Sequence, residues 1–210
     1  MGLAIVVPVR AFDLGKSRLA ALFDPPEREV LARAMAEVVV NPASVPGDTE
    51  WFVVCDDDRI ASWATARGAR PLRVSASGLN PSLEAARSAI LSASPADFVA
   101  IAHADLPLAH DLATTLTAHT ARTDGDVVLI APDRQRDGSN VVVVPRHLFG
   151  RWEFRYGPGS FTAHCTLAES LGASVLVIDD ARLATDVDTV DDLDLVRDFV
   201  VSILPNWTAP

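Results

Sequence analysis

Three cations stand close together near the start of an otherwise acidic chain. Residues 7–19 read Val-Pro-Val-Arg-Ala-Phe-Asp-Leu-Gly-Lys-Ser-Arg-Leu and place Arg10, Lys16 and Arg18 within nine residues. A basic loop behind a buried strand suits a triphosphate, because Lys and Arg make short charge-assisted bonds to phosphate oxygens. A solvated loop with surface cations is the alternative. Gly15-Lys16-Ser17 is not a P-loop: that motif needs a second glycine five residues earlier, where Arg10 stands.

The acidic groups follow other apolar runs. Asp105 comes just after the run 98–102. That is a natural position for a Mg²⁺ ligand in an α/β enzyme, although a turn or cap residue before Pro107 would read the same way. The segment Thr-Asp-Val-Asp-Thr, residues 185–189, puts Asp186 and Asp188 on one face if extended, since strand side chains alternate. Two carboxylates on one face repel unless a cation lies between them, and hard Mg²⁺ prefers such oxygens. The rival reading makes Asp188 the lead-in to a helix and leaves Asp186 over. Gly157-Pro158-Gly159-Ser160 precedes a helical pattern, whose first N–H groups and dipole form an anion site, with Arg155 nearby. Asp137-Gly138-Ser139-Asn140 is either a turn or an anion nest. Asp56, Asp57 and Asp58 read as helix-capping carboxylates rather than ligands. Asn80 either caps a helix or reads a purine edge, and His103 reads as structural.

These groups need a scaffold. Apolar, β-branched runs at 3–9, 51–55, 98–102, 127–131, 141–144 and 175–178 read as strands covered on both faces. Helical patterns fill 25–39, 57–66, 81–92, 111–121, 160–170 and 189–204. Asp24 caps the first helix ahead of Pro25, Gly68 stops the second, and Thr189 with Asp192 has capping-box spacing. Alternating β and α elements predict a mainly parallel sheet with helices on both faces. The runs 127–131 and 141–144 lack a helix between them and are expected to pair antiparallel. Ligands in such sheets bind beyond the carboxyl ends of the strands, where the groups above fall. Residues 1–204 read as one domain and 205–210 as a loose tail.

Composition narrows the partners. Of 210 residues 49% are hydrophobic and 22% charged, and the net charge is −10. That charge argues against nucleic acid or an anionic membrane. No apolar stretch reaches the roughly 18 residues of a membrane span. The N-terminus has no secretory-signal pattern, and Cys55 and Cys165 make neither zinc spacing nor a disulfide framework, so a cytoplasmic setting is expected.

Taken in order, these motifs resemble one family: Val-Pro-Val-Arg with Lys-Ser-Arg-Leu, Gly-Leu-Asn, Ala-Asp-Leu-Pro-Leu, Ala-Pro-Asp-Arg with Asp-Gly-Ser-Asn, Phe-Arg-Tyr-Gly-Pro-Gly-Ser-Phe and Asp-Val-Asp-Thr. They resemble the phosphoenolpyruvate and 2-phospho-L-lactate guanylyltransferases of deazaflavin coenzyme F-420 biosynthesis, from about residue 3 to 195. The resemblance implies a single-domain, Rossmann-like α/β/α sandwich of the nucleotide-diphospho-sugar-transferase kind. It implies transfer of GMP from GTP to a three-carbon phospho-acid with release of pyrophosphate, and a hand-off to the next enzyme of the pathway. It implies Asp105, Asp186 and Asp188 as ligands of Mg²⁺, with Mn²⁺ as the alternative ion. Ser139, Gly157 and Ser160 match positions that hold the phospho-acid. Pro8, Arg10, Lys16, Arg18 and Asn80 fall on the GTP side, with Lys16 and Arg18 stabilising the leaving pyrophosphate. The family often has lysine at the Arg10 position and usually no histidine at the His103 position. The Ala-, Val- and Arg-rich composition resembles high-GC actinobacterial proteins, where the family uses phosphoenolpyruvate; 2-phospho-L-lactate and 3-phosphoglycerate are the other acceptors. A different phosphate acceptor, such as a molybdopterin or sugar phosphate, and a non-catalytic nucleotide-binding module are the rival readings.

Overall fold

A computed structural model describes residues 1–42 and 49–207. The chain opens with β1 (Leu3–Pro8), whose residues are almost entirely buried. The basic loop that follows is not irregular: two short 3-10 turns, Phe12–Leu14 and Ser17–Leu19, compact it. Then come α1 (Pro25–Val39), β2 (Thr49–Cys55), α2 (Asp58–Ala66), β3 (Arg70–Arg73), α3 (Leu79–Ala93), β4 (Phe98–Ala102) and α4 (Leu112–Thr120). The second half holds β5 (Val127–Pro132), β6 (Ser139–Pro145), α5 (Arg146–Phe149), α6 (Ser160–Ser170), β7 (Ser174–Val177), α7 (Ala181–Ala184), α8 (Val190–Leu195) and α9 (Arg197–Ile203). Among the described residues no helix is long and apolar enough to cross a membrane.

The strands form one seven-stranded sheet in the order β3-β2-β1-β4-β6-β5-β7. As expected, β5 and β6 pair antiparallel. β6 also runs antiparallel to β4, so it alone opposes the other six strands. This reversal has a functional result. Parallel strands deliver their carboxyl ends to one rim of the sheet; β6 delivers its first residues, Ser139 and Asn140, to that same rim.

Side-chain alternation divides the core into two layers. Leu3, Ile5 and Val7 pack with residues of α1, α2 and α4 on one face. Ala4 and Val6 pack with residues of α3, α5 and α6 on the other. A third cluster lies outside α1, where Leu31 and Met35 meet Val187, Leu193, Val196 and Val200. The result is the expected α/β/α sandwich.

Several elements depart from the sequence reading. β3 was not foreseen: Arg-Pro-Leu-Arg has no apolar run, and it is tolerated because the strand lies at the sheet edge. The third helix starts at Leu79 after Gly78, whose φ of 96° is open to glycine, so Asn80 is not its cap. The predicted helix 189–204 is broken at Val196, which leaves helical geometry and turns α9 so that Val200 also reaches the third cluster. In the tail, the N–H of Trp207 donates to the carbonyl of Leu204, and its ring lies 6.1 Å from that of Phe23; residues 208–210 lie outside the described residues.

Candidate active site

One cleft of about 710 Å³ opens at that rim. Pro8 lines it from the end of β1, Arg10, Lys16 and Arg18 from the loop behind, His103 and Asp105 from just beyond β4, and Ser139 and Asn140 from the start of β6. Gly157, Ser160, Asp186 and Asp188 complete it. The strand order reverses beside β1 and β4, which is where open α/β sheets leave a crevice.

The three aspartates meet through a main-chain bond. Val187 N–H donates to the Asp105 carbonyl (3.3 Å), and the Val187 side chain is fully buried. Its neighbours Asp186 and Asp188 therefore face the other way, into the cleft beside Asp105. Lys16 joins them: its Nζ lies 2.5 Å from Asp105 Oδ2 and 3.0 Å from Asp188 Oδ1. The Lys16 backbone is left-handed (φ 54°), a strained state for a residue other than glycine, and its side chain is only 9% exposed. Burial opposes the charge on Lys16, yet Asp105 and Asp188 outweigh it and lift its pKa above the ordinary lysine value. Burial also opposes ionisation of Asp105, but Lys16, with help from His103, holds its carboxyl below the ordinary aspartate range. Among the described residues no cation pairs with Asp186. Burial, then the charge of Asp105, push its pKa up against the bond it accepts from Asn140 Nδ2 (3.2 Å).

The carboxylates suit a hard cation in kind. Asp105 Oδ1 is buried with no hydrogen-bond partner, an acceptor already stripped of water. The arrangement is not a finished cage, however. Among the described residues no three side chains of His, Cys, Asp or Glu are grouped as metal donors. The Lys16 ammonium also spans Asp105 and Asp188, so a divalent cation would have to move it aside.

On the adjoining wall the hairpin between β5 and β6 meets the start of α6. Ser139 N–H donates to Ser160 Oγ (3.0 Å), and Gly159 N–H donates to Asp137 Oδ2 (3.1 Å). Gly157 (φ 131°) and Gly159 (φ 72°) take backbone conformations that favour glycine and let the chain turn into α6. Ser139, Gly157 and Ser160 are thus neighbours, on a wall that joins the aspartates through the bond of Asn140 to Asp186. Arg155, placed near this turn by sequence, pairs instead with Glu153 (2.7 Å) and does not line the cleft. Of the cations behind β1, Arg18 is 3.7 Å from Asp188 and 73% exposed, while Arg10 makes no hydrogen bond or ion pair among the described residues. Asn80 differs from the expected picture. It does not line the cleft, and its amide is engaged at both ends: Nδ2 donates to the Tyr156 carbonyl and Oδ1 accepts from the Tyr156 N–H, each at 2.9 Å. Its position joins α3 to the segment before α6.

Residues 3–197 match the family described as Guanylyl transferase CofC like. The chain belongs to this family. One relative among the guanylyl transferases is the phosphoenolpyruvate guanylyltransferase of Rubrobacter xylanophilus, 33% identical over 92% of both chains. Another is the 2-phospho-L-lactate guanylyltransferase of Methanothermobacter thermautotrophicus, 30% identical over 90% of this chain and 81% of that one. The fold extends further. A protein of Desulfovibrio desulfuricans G20 assigned to the nucleotide-diphospho-sugar transferases superposes with a TM-score of 0.71, at 17% identity over 93% of this chain and 87% of that one. A nucleotidyl transferase of the same Methanothermobacter species gives 0.62, at 15% identity over 96% and 98%.

Sequence reasoning passed over three residues of this guanylyl transferase site. Asn140 was read only as part of a turn or an anion nest, yet it bonds Asp186 and also the Leu183 carbonyl. Asp133 holds the hairpin loop through the N–H groups of Asp137 and Gly138. His164 lies fully buried beneath Ser139. Only its spacing from Ser160, four residues along one helix face, could have drawn attention to it.

Proposed function

We propose that this nucleotidyltransferase moves GMP from GTP to phosphoenolpyruvate and releases pyrophosphate, in deazaflavin coenzyme F-420 biosynthesis. The observation that carries the reading is the pairing of two walls in one cleft: three aspartates with Lys16 on one, and the Ser139, Gly157 and Ser160 turn on the other. A nucleoside triphosphate and a small phosphorylated acid need such neighbouring sites. The relative named for phosphoenolpyruvate supports this acid. The relative named for 2-phospho-L-lactate supports the second reading, and 3-phosphoglycerate is a third candidate.

The chemistry needs no general base, because the acceptor phosphate is already ionised near neutral pH. Its oxygen attacks the α-phosphorus of GTP, a P–O bond forms, and the bond to the bridging oxygen breaks as pyrophosphate leaves in line. Asp105, Asp186 and Asp188 would hold Mg²⁺ or Mn²⁺, which supplies charge neutralisation between the two polyanions and polarises the transferring phosphate. Lys16, released from its carboxylates, together with Arg18 and Arg10, stabilises charge on the leaving pyrophosphate. Ser139, Ser160 and the Gly157 turn orient the acid.

The test is pyrophosphate release in a grid of four nucleoside triphosphates against three phospho-acids, with and without Mg²⁺. Signal with GTP and phosphoenolpyruvate alone, dependent on metal, is the expected result. Release with no acid, or none anywhere, sinks the reading. Asp105→Asn should lower turnover by at least about 100-fold while circular dichroism stays native; near-normal turnover removes Asp105 from the metal set.

A further inference from the structure

His164 is a buried histidine with a role still unassigned. It projects from α6 one turn beyond Ser160 and is 0% exposed. Trp152 stacks on it at 5.7 Å between ring centroids, and Tyr156 meets it edge-on at 4.8 Å. Both ring nitrogens have polar partners. Arg155 N–H donates to Nε2 (3.2 Å), so Nε2 is an acceptor and carries no proton. The proton of the neutral ring therefore sits on Nδ1, which is 3.1 Å from Ser139 Oγ. Ser139 Oγ makes no other hydrogen bond among the described residues. A hydroxyl that accepts from a fixed donor keeps one proton of its own to give. Ser160 is in the same condition, since its Oγ accepts from Ser139 N–H. Both serines line the cleft.

We propose that His164 is a positioning residue for the acceptor: by donating Nδ1–H to Ser139 Oγ it leaves the Ser139 hydroxyl proton to point into the cleft, where Ser139 and Ser160 together donate to an oxyanion of the phospho-acid. The inference rests on the functional reading above and adds a device to it. The wall becomes selective for acceptors, since an anion takes two hydroxyl donors while a neutral oxygen bearing its own proton fits one of them poorly. A histidine suits the role because its two nitrogens have opposite duties on a rigid ring. Asparagine can put an N–H where Nδ1 stands; glutamine can replace only the acceptor at Nε2.

The experiment measures kcat, KM for GTP and KM for the acid in the full-length wild type, His164→Gln, His164→Asn and Ser139→Ala. In His164→Gln and Ser139→Ala the acid KM rises about tenfold, GTP KM stays within about twofold, and the double variant adds little beyond either. His164→Asn recovers most of the loss. A parallel readout is the ¹⁵N spectrum of the histidine-labelled wild type, expected to show an unprotonated Nε2. Loss of kcat and melting temperature with no selective change in acid KM, or an Nε2–H tautomer, overturns the proposal. If His164→Gln does not fold, Ser139→Ala decides alone: an unchanged acid KM overturns it. A wild type silent with every acid fails the functional reading and this proposal with it, whereas an active wild type with a flat Ser139→Ala fails only the proposal.

Discussion

Lys16 is the residue on which the site turns. It neutralises Asp105 and Asp188 as the structure stands, and its ammonium occupies the ground a divalent cation would need. Lys16→Met should leave two partly buried carboxylates facing each other and destabilise the metal-free protein by about 2 kcal/mol. Mg²⁺ should then raise the melting temperature of the variant more than that of the wild type, because it no longer displaces a resident charge. Equal shifts in a thermal melt would refute the competition. His164 makes a prediction in pH. Burial, with smaller contributions from His103 and Arg155, lowers its pKa to about 4, against about 6.5 in an unfolded chain. The unfolded state thus gains a proton as pH falls below about 6.5, and the folded state resists until about 4. Stability is lost across that window and levels off below it. His164→Asn should remove a share of the loss on the order of 3 kcal/mol, read by urea unfolding at stepped pH. Asp186 and Asp188 were legible in the sequence because strand alternation is local. His164, Asn140 and the true partners of Asn80 were not, since each acts on a main chain or side chain distant in sequence.

At the scale of elements, local rules and tertiary demands divide the credit. Asp24 caps α1 as the sequence predicts, accepting from Glu27 N–H (2.8 Å), and the structure adds the reciprocal bond, the Glu27 carboxylate accepting from Asp24 N–H (2.9 Å). Asp24→Ala should cost about 1 kcal/mol in chemical denaturation without touching KM. The turn into α6 behaves differently. A Cβ on Gly157 meets nothing within 4 Å, so the obstacle to a side chain is the backbone angle alone. Gly157→Ala should destabilise by about 1–3 kcal/mol and raise acid KM selectively, since relaxing the turn moves Ser160 from Ser139. The caps were readable because they need only neighbours in sequence. β3 and the break at Val196 were not, because an edge position and the third apolar cluster decide them.

At the scale of the molecule, one sheet links every layer. Trp51 and Trp63 sit in the first core cluster, Trp152 in the second, and Trp207 borders the third. Variants retaining one tryptophan each should therefore show superimposable denaturant midpoints in fluorescence, as a single cooperative unit requires. Separate midpoints would divide the domain. The general plan was legible because alternating strands and helices admit few arrangements, and so was the antiparallel hairpin. The place of β6 in the sheet was not, because local pattern pairs β6 with β5 but says nothing of β4.

That place bears on how the protein is made. β5 leaves the ribosome before β6, yet β6 lies between β5 and β4. Until β6 arrives, a nascent chain has β4 and β5 with no strand to join them, two bare edges open to unwanted pairing. The residues that begin this joining strand are Ser139 and Asn140, one bonded to Ser160 and the other to Asp186. Joining β4 to β5 and bringing these two residues to the cleft are then one event in biogenesis, and it comes before β7, Asp186 and Asp188 are made.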